Sequence, residues 1–138
     1  MILDEARTIL PGIQALFGFQ LIAVFTEGFS QLSDGERLAH LASLLLVTVA
    51  IALIMTPAAY DRIVGESRVS RRFVALASRL ISIAMVPLMV GIALEIYIVS
   101  LTVVGDPRPA AGVALATALL FAALWFALPW LRRMTSSA

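Results

Sequence analysis

Four long apolar stretches, each followed by a short segment that gathers the charges, constrain this chain more than any other feature. They run over about residues 10–25, 37–59, 73–104 and 110–131, and away from their ends only Arg79 and Glu95 break them with a charge. A hydrocarbon core of about 30 Å takes about 20 apolar residues of helix, so each stretch reads as a transmembrane helix. A soluble four-helix bundle would instead carry charge along the outer face of every helix. Composition agrees: the 138 residues are 61% hydrophobic and 14% charged, with mean hydropathy +0.99, whereas soluble chains are about 45–50% apolar and about 25% charged. The expected fold is all-α, a polytopic membrane protein forming one four-transmembrane-helix bundle over residues 1–138.

Punctuation between the stretches supports these limits. Leu3 to Ile9 has a mixed pattern that suits a helical lead-in at the interface, with Pro11 near the start of the first span or at a bend before it. Ser33 followed by Glu36 reads as a capping box opening the second helix, and Pro57 falls in that helix's last turn. Tyr60 to Arg72 is the most polar connection, holding Arg62, Arg68, Arg71 and Arg72 beside Asp61 and Glu66. Gly105-Asp106-Pro107-Arg108-Pro109 is a rigid turn. A faint echo links Pro57-Ala58-Ala59-Tyr60-Asp61-Arg62 with Pro129-Trp130-Leu131-Arg132-Arg133, as two parallel hairpins would show.

All ten basic residues are Arg, and their distribution sets an orientation. With both termini in the cytoplasm, the inner side receives Arg7, Arg62, Arg68, Arg71, Arg72, Arg132 and Arg133, while the outer side receives Arg37 and Arg108. The expected placement is therefore multi-pass, N-in and C-in. Met1-Ile2-Leu3-Asp4-Glu5 lacks the basic start of a signal peptide, so the first helix is read as retained.

Several function classes are disfavoured. A net charge of +1 offers no polybasic face for nucleic acid. The absence of cysteine removes disulfides and thiolate metal sites. One His, no Cys and no glycine elbow around a Ser leave no nucleophilic set, so an enzyme is not expected.

The run from Leu3 to Phe17 is the most distinctive segment. With Leu32-Ser33-Asp34, Pro57-Ala58-Ala59-Tyr60-Asp61-Arg62 and Ala77-Ser78-Arg79-Leu80, it resembles a bacterial family of small four-span membrane proteins of unknown function. The resemblance covers nearly the whole chain and implies the architecture, in a bacterial inner (plasma) membrane, without an activity. Members tend to show His before the Arg of the Ala-Tyr-x-Arg segment, where this chain has Asp61, so any role of that His does not carry over.

Among individual residues, Glu95 weighs most. A carboxylate about two turns from the outer end of the third helix costs on the order of 2–3 kcal/mol unless paired, protonated or reached by water. Glu27, Gln20 and His40, all from outer helix halves, are its candidate partners in a proton or cation site; the bland alternative is an interhelical hydrogen bond. Pro87 and Gly91 precede it, Gly91 allowing close helix approach. His40, the only histidine, lies four residues after Glu36, which is placed to hold its ring. A lone intramembrane His can also ligate a tetrapyrrole metal, although side-chain metal binding would need companions this chain lacks. Arg79 is expected to snorkel to headgroups or to pair with Asp61, Asp4 or Glu5. Gln14, about 120° around the first helix from Gln20, is expected to bond to another helix. On the fourth helix Ala110, Ala114, Ala118 and Ala122 form a smooth packing stripe that Phe126 and Trp130 extend, serving the bundle's interior or a second protomer.

Two functions follow as expectations. One is an accessory or scaffold protein, a homo-oligomer or a subunit of a larger membrane complex, with lipids as its other partners. The other is a small proton- or cation-translocating transporter or channel with Glu95 as the titrating site.

Overall fold

The computed structural model of the chain describes residues 2–64 and 71–135, with side chains described from Thr8 to Met134 within them. The expectations placed on the side chains of Asp4, Glu5 and Arg7, and on Glu66 and Arg68, lie outside the described residues. Helix α1 covers Ile2–Ala23, α2 is a single turn at Glu27–Ser30, α3 covers Asp34–Val64 and α4 covers Arg71–Val104. Helix α5 runs over Pro107–Ala122, continues through a π-helical turn at Ala123–Ala127, and passes into α6, Leu128–Thr135. No strand occurs among the described residues.

The helices outrun their expected limits wherever charge had been read as an interruption. Helix α1 begins eight residues before the first apolar stretch and passes through Pro11 without a break. The lead-in is therefore part of the helix. Helix α3 extends to Val64, which places Pro57 inside the helix and not in its last turn, as a fully buried side chain. Arg62 lies in the last turn of α3, where a cation complements the negative end of the helix dipole. The expected capping box is present: the Ser33 backbone N–H donates to Glu36 Oε2 over 2.7 Å, and the Glu36 N–H donates to Ser33 Oγ over 3.3 Å. Asp106 caps α5 by accepting from the Arg108 N–H at 2.9 Å. Gly105 before it has φ +74°, a left-handed conformation that glycine adopts without steric cost.

Helices α3 and α4 form the antiparallel spine, closed at one end by stacking of Tyr60 on Phe73 at a centroid separation of 6.0 Å. Helix α1 packs mainly on α3, and α5 packs on α4. Ile13 from α1, Val47, Ala50 and Ile54 from α3, and Ala84 and Leu88 from α4 make the buried core. The spacing of Val47, Ala50 and Ile54 puts one residue per turn on the face that meets α4. Ala50 and Ala84 are completely buried, and their small size lets the backbones close up.

Three helical segments, Asp34–Val64, Arg71–Val104 and Pro107–Met134, are long and apolar enough to cross a membrane, and Thr8–Ala23 is a shorter apolar helix. Large apolar side chains such as Phe25, Leu38, Ile63 and Leu115 stand exposed around the bundle. Water would penalise that surface; hydrocarbon would not.

The alanine stripe of α5 is its least exposed line: Ala110 is buried, and Ala114, Ala118 and Ala122 are half-buried. The line does not continue as expected. The π-helical turn inserts one residue into the register, so Phe126 stays half-buried while Trp130 rotates out to 64% exposure. The aromatic that reaches the core instead is Trp125, stacked on Phe121 at 4.6 Å.

Candidate functional site

Gln20, His40 and Glu95 come from three different helices and meet in one polar cluster. Helix α1 delivers Gln20 at its last turn, α3 delivers His40 from its second turn, and α4 delivers Glu95 a turn beyond Gly91. Gln20 and His40 are 3% and 5% exposed, so the polar atoms here depend on one another for partners.

The bonds form a connected set. Gln20 Nε2 donates to Glu95 Oε1 at 3.0 Å and to Ser43 Oγ at 2.8 Å. Ser43 Oγ passes its own hydrogen to the Gly91 carbonyl at 2.8 Å. His40 Nε2 lies 3.0 Å from the Gln20 carbonyl, and His40 Nδ1 lies 3.0 Å from Glu95 Oε1. Glu95 Oε1 thus meets both Gln20 and His40, while no hydrogen bond engages Oε2 among the described residues. Gln20 Oε1 is buried without a partner.

The partners constrain where the ring carries hydrogen. A carbonyl only accepts, so Nε2 must carry a hydrogen to satisfy Gln20. The contact between Nδ1 and Glu95 Oε1 then requires one further hydrogen, on the ring as an imidazolium facing a carboxylate or on the carboxyl facing a neutral ring. The two residues hold one hydrogen between them in either arrangement. Both ring nitrogens are engaged, which leaves His40 no lone pair directed at an open coordination position.

Ser43 was not anticipated. It lies three residues after His40, on the same face of α3; that spacing was the available signal, and the structure buries the side chain fully. Gly91 performs the expected close approach: a Cβ there would sit 3.2 Å from Val47 Cγ2 and 3.3 Å from the Ser43 carbonyl oxygen. Replacing Ser43 by alanine removes the acceptor for one Gln20 hydrogen and the donor to Gly91. Ser43→Ala is expected to cost about 1–2 kcal/mol, the range of an interhelical hydrogen bond in a membrane protein, measured as a lower midpoint of denaturant unfolding in detergent.

The remaining candidates lie elsewhere. Glu27 is exposed in α2 and does not join the cluster. Gln14 is exposed on α1 instead of bonding to another helix, and Gln20 alone supplies the buried amide. Glu36 is held by Ser33, so it does not orient His40; Glu95 does. Arg79, Arg62, Arg71 and Arg72 are exposed near the α3–α4 turn. Arg37 leans back to donate to the Ser30 carbonyl at 2.6 Å.

Above the cluster lies a cavity of about 250 Å³, with His40 and Glu95 in its wall beside Ala23, Phe29, Leu32, Ile98, Val99 and Val103. The Phe29 ring meets the imidazole edge-on at 5.4 Å. The two threonines in the wall turn their hydroxyls to their own helices, Thr26 to the Ala23 carbonyl and Thr102 to that of Ile98. Below the cluster, toward the α3–α4 turn, the apolar core takes over.

An all-helical chain whose long helices are apolar enough to span a membrane, tied together by a half-buried carboxyl on a buried imidazole and amide, defines the class. The chain belongs to a family of unknown function, DUF6328, whose match covers residues 1–129. No curated protein and no solved structure matches the chain.

Proposed function

We propose that the chain is a four-span bacterial inner-membrane protein, with both termini cytoplasmic, that moves protons or a proton-coupled solute through a site built on Glu95 and His40. The observation that carries this reading is the 3.0 Å contact between His40 Nδ1 and Glu95 Oε1, in the wall of a cavity. A carboxyl and an imidazole in contact give a proton two acceptors of different chemistry, and intramembrane titratable groups of this kind mark ion and proton pathways. The apolar core between the site and the α3–α4 turn supports a carrier that must rearrange over an open pore. In this reading Thr8–Ala23 serves as the fourth span, with the first residues of α1 reaching the interface.

An accessory or self-associating role needs a face for its partner. The alanine stripe expected to supply it lies on the side of α5 turned inward, and the carboxyl site is the better supported basis for function.

Proteoliposomes given an external acid pulse, with and without a mixture of small amines, carboxylates and sugars, test the reading through a trapped pH dye. Wild-type vesicles are expected to equilibrate faster than empty ones in at least one condition, and Glu95→Gln to return the rate to that of empty vesicles. Flux that survives in Glu95→Gln, or none in any condition, would overturn the proposal.

A further inference from the structure

We infer that the cavity beside Glu95 binds an organic monocation with an apolar body, taking it up in exchange for the hydrogen shared with His40. The inference rests on the proton-handling reading and names the class of solute. Three features of the cavity carry it.

The first is the chemistry of the wall. Ala23, Leu32, Ile98, Val99 and Val103 are aliphatic, and both threonine hydroxyls are already bonded, so a ligand's body meets methyl groups. Phe29 adds an aromatic ring, which attracts a cation lying over its face. A volume of about 250 Å³ suits a compact amine or quaternary ammonium ion and far exceeds a bare metal ion. No group of three or more His, Cys, Asp or Glu side chains stands together among the described residues, so a metal ion would lack ligands.

The second feature is the free acceptor. Glu95 is the only acid in the wall, and its Oε2 takes no hydrogen bond among the described residues. Gln20 keeps Oε1 in place from α1, leaving Oε2 to meet a positive group.

The third is charge. With one shared hydrogen the pair is neutral. Exchange of that hydrogen for a monocation leaves the site neutral, whereas a dication would leave one positive charge buried and an anion would face a carboxylate. The step balances: the organic cation enters beside the Glu95 carboxylate, the shared proton passes to solvent, and the His40 Nδ1–Glu95 Oε1 contact that needed it opens while His40 keeps its Nε2 hydrogen on the Gln20 carbonyl. The groups facing Glu95 are few. Helix α3 presents His40, α1 the neutral Gln20, and α2 the neutral Phe29, and the cavity wall holds no other titratable side chain. Arg37 is committed to Ser30 and Asp34, and Arg108 of α5 is exposed.

Benzyltrimethylammonium is the probe, because it has an apolar body and no proton of its own to give up. Calorimetry on the purified full chain, repeated in buffers of different ionisation enthalpy, should show one proton released per ion bound. Affinity should rise tenfold per pH unit over the range in which the pair retains its hydrogen. Glu95→Gln should weaken binding at least tenfold and abolish the release. Val99→Trp, placed in the exposed part of the wall, should block binding while the pH-sensitive carboxyl infrared band of Glu95 persists, which separates a filled cavity from a misfolded protein. Binding without proton release, equal binding by Glu95→Gln, or no binding by wild type would overturn the inference. Glu95-dependent flux accompanied by no binding would overturn the solute class and leave the proton-handling reading standing. Binding with proton release but no flux would support the exchange site and remove translocation.

Discussion

Gly91→Leu is expected to separate α3 from α4 and to lower stability by about 3 kcal/mol or more. A single added carbon at residue 91 already meets Val47 Cγ2 at 3.2 Å and the Ser43 backbone oxygen at 3.3 Å. The backbone oxygen cannot swing aside, and Val47, completely buried in the core, has little room to do so. Overpacking of this kind costs about 1–3 kcal/mol. Separation would also break the Ser43 hydrogen bond to the Gly91 carbonyl, worth about 1 kcal/mol. Thermal and denaturant unfolding in detergent would read the loss, with Gly91→Ala between wild type and leucine. A Gly91→Leu protein of wild-type stability would show that α3 and α4 are not held at this distance.

The second large effect is expected from His40→Ala. It leaves the Gln20 carbonyl and Glu95 Oε1 each short of a partner. Removing one member of a buried ion pair costs about 3–5 kcal/mol. The Glu95 side chain keeps 19% of its surface exposed and its Oε1 still accepts from Gln20, so about 2–3 kcal/mol is expected here. Glu95→Gln preserves shape, and its amide nitrogen in the Oε1 position would donate to Nδ1 at the expense of the bond accepted from Gln20, so it should be the milder change. The combined variant decides whether the residues act together: its cost should fall short of the sum of the single costs by about 1 kcal/mol. Strict additivity in unfolding measurements would show that the pair carries no coupling.

The parts of this structure legible in the sequence were those in which one residue has one role. Glu95 stands out because a carboxylate in an apolar run has few ways to be stable, and two of its three candidate partners, Gln20 and His40, are the ones that meet it. Gly91 stands out because close approach of helices favours a residue without a side chain. Glu36 shows where such reasoning divides, since its spacing served equally for a cap to Ser33 and a clamp on His40, and one carboxylate could not do both. The cap prevailed because its partners are three residues away and partly backbone. Ser43 escaped notice because serines in membrane helices usually bond to their own helix, as Ser82 does here to the Ser78 carbonyl. The end of α3 was misread because Pro57 and the charges after it were taken as a stop, while helix continues past Pro57 to Val64; the helical lead-in before Pro11 joins the first span without a break. The π-helical turn leaves no mark in Ala123-Leu124-Trp125-Phe126-Ala127, and only packing of Trp125 on the core shows its use.

The hydrogen held in common by His40 and Glu95 bears on how the site responds to voltage. Shifting it from carboxyl to ring over a 3.0 Å contact creates a dipole but no net charge. A full elementary charge carried across a bilayer is worth about 2.3 kcal/mol for each 100 mV of membrane potential, and a neutral pair is not subject to that force as a whole. The field therefore weighs only how the hydrogen divides between its two owners. A membrane potential can tilt this pair without dragging it.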